Sequence, residues 1–218
     1  MPQRRLILSM CCLAHAVQDG LSAAIYVLLP VLAQSLGLNL GEVGLFKGLK
    51  SLAQGLLEIV SGVAAERFGD RILLVFGLAV SALGYLLFWF AGSAAVVLAC
   101  LVLVGIGTAF QHAPSSALVS RAYPDAGRRG ALGLYNSSGD AGKLLFTTSF
   151  SLAIGAGLAW SVPTVGFGAV AAIAAGVLVL LLWPRGSASA LFRRTAQKAK
   201  AAPENGAAKG WGILDRQG

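Results

Sequence analysis

Charge is what this sequence has least of. Charged residues supply 12% of its 218 residues, about half the share of an ordinary soluble domain. Apolar residues supply 56%, and the mean hydropathy is +0.75. That leaves too little polar surface to coat a soluble globule, so an integral membrane protein is expected. Cysteine is scarce as well. Cys11, Cys12 and Cys100 lie in apolar runs with no C-x-x-C, which indicates neither a disulfide framework nor a cysteine zinc site and leaves small packing residues. The two histidines, His15 and His112, stand on different runs without metal-ligand spacing, so neither a metal nor a cofactor is expected. Enzyme signatures are missing too. GDAGK has Ser137 where a phosphate loop needs its first Gly and Leu144 where it needs Ser or Thr, and there is no G-x-S-x-G.

The net charge of +8 comes in short clusters between apolar runs. That is the pattern of membrane-protein loops rather than of a phosphate-tracking surface, and no nucleic acid is expected as a partner. The N-terminal MPQRRLILSMCCLAHA has the basic start and A-x-A-like end of a signal peptide. Apolar sequence continues beyond Asp19 without a charged break, however, and a first membrane span explains that better.

Six stretches have the length of about 20 apolar residues that a bilayer requires: 6–34, 43–65, 72–91, 94–120, 131–158 and 162–183. The positive-inside rule orients them. Arg4 and Arg5 precede the first span, Arg67 and Arg71 separate the second and third, and Arg121, Arg128 and Arg129 separate the fourth and fifth. More basic residues follow the sixth, from Arg185 to Arg216, while the loops around Asn39, Gly92 and Trp160 hold none. Both termini are therefore expected in the cytoplasm. The chain divides into a six-helix bundle, 1–184, and a flexible basic tail, 185–218, whose charges solvate it beside the inner leaflet.

Polar residues within the spans fall on single faces. A helix advances about 100° per residue, which puts Lys47, Lys50, Ser51, Gln54 and Glu58 on one stripe of the second span. His15, Gln18, Asp19, Ser22 and Tyr26 line the first span; Asn136, Asp140, Lys143 and Thr147 line the fifth. The fourth carries Thr108, Gln111 and Ser115, with His112 beside them, and the third and sixth spans hold no ionisable residue. An ionisable group at a helix centre costs roughly 2.5–3.5 kcal/mol on insertion scales. The stripes should therefore face protein or a watery cavity surrounded by spans one, two, four and five. Blander roles stand beside this one. Lys47 could snorkel to the headgroups, Asp140 and Lys143 could neutralise each other on one helix, and the histidines could be satisfied bundle residues. Asp19, with no lysine or arginine on its own span, is the leading functional acid.

The two triplets of spans repeat the same placement of chemistry, a 3+3 inverted plan found in secondary transporters. The loop GVAAERFGDR, from Gly62 to Arg71, is similar to a signature of the major facilitator superfamily, Gly-x-Leu-Ala-Asp-Arg-x-Gly followed by two basic residues. Gly62, Ala65, Arg67, Gly69 and Arg71 match; Glu66 replaces Asp, and Asp70 replaces a basic residue. HAVQDG, FQHAPSSALVSRAYP and YNSSGDAGK resemble a bacterial branch near fosmidomycin-resistance-type exporters. The family's Arg-x-x-Gln-Gly of span four and Gly-Pro-rich motif of span five are not found, so an arginine-centred relay is not carried over.

The resemblance covers about residues 10–183 and implies the N-terminal half of a twelve-span transporter in a bacterial inner membrane. In that fold spans one and four line the path, two and five flank a seam with the other half, and three and six stand outside. The resemblance also gives Glu66 and Arg67 a charge-pairing role at the cytoplasmic side. WGILDRQG resembles the linker toward a seventh span. A second six-helix half, a second copy of the chain, or a truncated product are then the alternatives for the seam. The expected function is half of a secondary, proton-coupled transporter of a small solute, with Asp19, Glu58 or Asp140 as the coupling acid. Its expected path residues are His15, Gln18, Tyr26, Lys47, Lys50, Gln54, Gln111, His112, Asn136 and Lys143. Lys50 and Lys143 would attract an anionic group on the solute. A non-transporting subunit that holds a partner is the competing reading.

Overall fold

The computed structural model describes residues 2–182, and the basic tail with its linker-like WGILDRQG lies outside them. Among the described residues the chain is helical, without strands. Helix α1 spans Pro2–Leu36 and ends at Gly37, whose φ of +66° would strain any residue with a Cβ. The Leu38 N–H closes the end on the Ala33 carbonyl at 2.9 Å. Helix α2 (Leu40–Phe68) starts at once, because Asn39 and Glu42 form a reciprocal capping box. Asn39 Oδ1 accepts the Glu42 N–H at 3.0 Å, and Glu42 Oε2 accepts the Asn39 N–H at 2.8 Å. Asn39→Ala should therefore lower stability by about 1 kcal/mol, measurable as a reduced unfolding midpoint in detergent.

Helix α3 (Asp70–Leu87) follows Gly69 and runs into a 3-10 turn at Phe88–Phe90. Helix α4 (Ala94–Ala109) is capped by Ser93, α6 spans Arg128–Gly155 and α7 spans Ser161–Leu182. The continuous helix expected over 94–120 is broken. It stops at Ala109, and a separate helix α5 runs His112–Ala122. Pro114 accounts for the break: in a continuous helix its ring would clash with the Phe110 carbonyl four residues back, and it has no N–H to offer that carbonyl. In the first turn of a new helix the same proline is tolerated. The joint is tightened by Phe110 N–H to Gly107 O at 3.3 Å and Gln111 N–H to Thr108 O at 3.2 Å.

By length and composition four helical stretches can cross a membrane: Arg4–Leu36, Asp70–Phe90, Ala94–Ala122 and Ser161–Leu181. Helices α2 and α6 are long enough, at 29 and 28 residues, but their polar stripes leave them less apolar than those four. Helix α1 lies at the centre and touches every other helix, most extensively α6; α3 packs on α4 and α7, and α2 packs on α4. Behind the site, Gln18 Nε2 donates to Ser81 Oγ at 2.7 Å and Thr108 Oγ1 at 2.9 Å, tying α1 to α3 and α4. Thr108 Oγ1 gives its own proton to the Val104 carbonyl, so Ser22, 3.2 Å away, is the donor in their contact.

The arginine-rich end carries two long-range ion pairs, one between helices and one from α1 to the loop before α6. Asp70 pairs with Arg121, and Arg4 pairs with Asp125 at 3.2 Å while lying over the Tyr123 ring. The Gly127 N–H, then Arg4, hold the exposed Asp125 carboxyl below its ordinary range. Glu66 and Arg67 are exposed, with Arg67 stacked on Phe68. Asp70, a residue that departs from the signature, makes a cross-helix pair with Arg121.

Candidate functional site

Asp19 is the hub. It sits on the buried face of α1, 6% exposed, where a lone carboxylate would be costly unless paired. Three side chains from three helices meet it. His15, one turn earlier on α1, brings Nε2 to 3.3 Å from Asp19 Oδ2. Lys143 of α6 brings its ammonium to 3.2 Å from the same oxygen. His112, the first residue of α5, places Nε2 at 3.6 Å from Oδ1. Lys143 also bonds Asp140 Oδ1 at 3.0 Å, so one ammonium is shared by two carboxylates.

The backbone supports this convergence at each point. The Pro114 break sets His112 at the mouth of the new helix, over Asp19. On α6, Tyr135, Gly139 and Lys143 recur every four residues and share a face. Gly139 leaves the room that His15 and Asp19 occupy, since a Cβ there would lie 2.8 Å from His15 Nε2 and 2.9 Å from Asp19 Oδ2. The Tyr135 ring stacks on His15 with centroids 4.0 Å apart, and His112 meets His15 edge-on at 5.3 Å.

The orientation of the His15 ring follows from its partners. Its Nδ1 lies 2.8 Å from the Tyr135 carbonyl oxygen, which can only accept, so Nδ1 carries hydrogen. Nε2 then faces Asp19 Oδ2 at 3.3 Å.

These groups line an open cleft of about 640 Å³ together with Glu58, Asn136, Ala113 and Ser116. No residue of α3 or α7 lines it. Seven expected residues are thus brought together: His15, Asp19, Glu58, His112, Asn136, Asp140 and Lys143. The others go elsewhere. Gln18 and Gln111 are fully buried, Gln18 in the network behind Asp19 and Gln111 3.5 Å from the Tyr135 hydroxyl. Lys50 is half-buried and donates to Gln54 Oε1 at 2.9 Å. Tyr26 is exposed, with the Lys47 ammonium 4.6 Å above its ring. Tyr135 and Gly139 were missed by sequence reasoning, although their four-residue spacing with Lys143 was a readable signal.

The sequence pattern of the Major Facilitator Superfamily matches residues 11–218. The uncharacterised MFS-type transporter YfnC of Bacillus subtilis is 29% identical over 167 residues, 76% of this chain and 38% of that protein. The fosmidomycin resistance protein of Escherichia coli is 29% identical over 140 residues, 64% of this chain and 34% of that one. The multidrug resistance protein MdtH of Aeromonas hydrophila is 34% identical over 98 residues, 43% of this chain and 25% of that one. The chain spans less than two fifths of the length of each of these relatives.

Proposed function

The chain belongs to the Major Facilitator Superfamily, and from that premise we propose that it forms one six-helix half of a proton-coupled secondary transporter for a small solute, with Asp19 as the coupling carboxylate. The observation that carries this reading is the convergence on Asp19, a buried acid met by one ammonium and two imidazoles in an open cleft. A proton held between His15 and Asp19 neutralises the carboxylate. Lys143 then keeps only Asp140 as a partner and can turn toward an anionic group on the solute. Loss of the proton returns Lys143 to Asp19 and releases that group. Proton and solute occupancy are linked through one side chain.

Helices α2 and α6 also cross the bilayer in this reading, with Glu58, Asp140 and Lys143 lining the cleft. Their other faces carry exposed Leu52, Leu56 and Ile59, and Leu134, Leu145 and Leu152, suited to lipid or to the seam with a second half. That half is another six-helix segment or a second copy, in an inverted 3+3 plan. The distribution of arginine supports an inner-membrane location with both termini cytoplasmic.

The test is flux in proteoliposomes loaded with a pH-sensitive dye, holding the chain alone or with a second six-helix polypeptide. Fosmidomycin is the first probe, because it appears in the name of one relative. Addition of the probe should move protons across the membrane. No movement, with both partners shown to be inserted, would contradict the proposal.

A further inference from the structure

His15 and His112 are the only histidines in the chain, and the fold brings both to the same carboxylate. One ligand atom from each of His15, His112 and Asp19 lies within 4.8 Å of the other two. We infer that these three residues form a binding site for a divalent transition-metal ion of the Zn²⁺, Co²⁺ or Ni²⁺ class. This goes beyond the transport reading, since binding can be measured without any flux.

Geometry supports the assignment first. Ligand atoms about 2.0–2.1 Å from a tetrahedral metal stand about 3.3 Å from one another. Here His15 Nε2 is 3.3 Å from Asp19 Oδ2, and His112 Nε2 is 3.6 Å from Oδ1. Small rotations of the half-exposed His112 bring it into range. The outer shell supports it second. A metal-binding histidine usually gives its other ring N–H to a carbonyl or carboxylate, which fixes the ligating nitrogen. The His15 Nδ1–H does so with the Tyr135 carbonyl at 2.8 Å, leaving Nε2 for the ion.

Two imidazoles and one carboxylate select borderline transition ions over Mg²⁺ or Ca²⁺, which prefer all-oxygen sets. The open cleft leaves further positions for water or a solute group. One contact opposes the ion: the Lys143 ammonium at 3.2 Å from Asp19 Oδ2. Lys143 is half-exposed and already bonded to Asp140 at 3.0 Å, so it can leave Asp19 without losing its other partner. Metal and ammonium compete for one carboxylate.

The experiment is titration of the full chain, purified in detergent through a tag without histidine, with Co²⁺ and then Zn²⁺. Co²⁺ should bind once per chain with visible absorption bands of a nitrogen- and oxygen-ligated ion, and Zn²⁺ should displace it. His112→Gln should lose the bands. That side chain is 37% exposed, so the variant is expected to fold, and an unchanged thermal melt checks this. Lys143→Gln should bind Co²⁺ about tenfold more tightly, within the range by which outer-shell groups tune metal affinity. Co²⁺ binding that is absent, or undiminished in folded His112→Gln, would overturn the assignment.

Discussion

Asp19→Asn should abolish transport driven by an imposed pH gradient, lowering it by about 100-fold or more, the scale on which a positioned proton-transfer group acts. The exchange preserves side-chain volume, and the new amide can donate to a neutral His15 ring, so the bundle should survive. The ability to carry a removable proton does not survive. Nor does the negative charge for which His15, His112 and Lys143 compete. Lys143 keeps Asp140 in the variant. Solute exchange without a gradient should therefore persist, because binding remains while coupling is gone. Asp140→Asn is the useful contrast. Its side chain is 75% exposed and touches Lys143 alone among the cations of the site, so a smaller loss is expected. Gradient-driven uptake and equilibrium exchange, measured on the same proteoliposomes, separate these outcomes.

Gly142→Ala should be the most destabilising small substitution in the bundle. A Cβ at position 142 would lie 1.9 Å from the Ala16 carbonyl oxygen, deep inside van der Waals contact with backbone. No rotamer relieves that overlap, so α1 and α6, the most extensively packed pair, must separate. A loss of about 3 kcal/mol, the upper end for overpacking a core, is expected. Close approach through small residues is how membrane helices associate without a hydrophobic drive between them. Gly133 lies on the same helix with nothing within 4 Å of its missing Cβ. Gly133→Ala should be neutral, or stabilising by up to about 1 kcal/mol through helix propensity. Thermal unfolding in detergent compares the two directly, and equal midpoints would contradict the packing argument.

Much of the candidate site was legible before any coordinates, because burying charge is so expensive that the polar stripes had to share an interior. That reasoning singles out Asp19, and a spacing of three makes Lys143 and Asp140 neighbours on one helix. Helical periodicity cannot tell which faces meet at which height. His15 and His112 lie on distant segments, and only the packing of α1 against α5 and α6 brings them to one carboxylate. The Pro114 break was encoded locally, yet the apolar run on both sides hid it. Gln18 and Gln111 share faces with the site residues but sit where buried amides fasten helices together. Periodicity does not separate a fastening from a cleft lining. The resemblance likewise pointed to Glu66 and Arg67, while the cross-helix contact is made by Asp70 with Arg121.

Water access to the charged cleft is the central claim, and thiol labelling tests it most directly. In a background with Cys11, Cys12 and Cys100 replaced, Asn136→Cys should react in proteoliposomes with a water-soluble maleimide at the rate of an aqueous thiol. Ile173→Cys, on an exposed apolar face of α7, should react far more slowly. If position 136 labels as slowly as position 173, the charges near Asp19 do not line a hydrated path, and the transport reading fails with them.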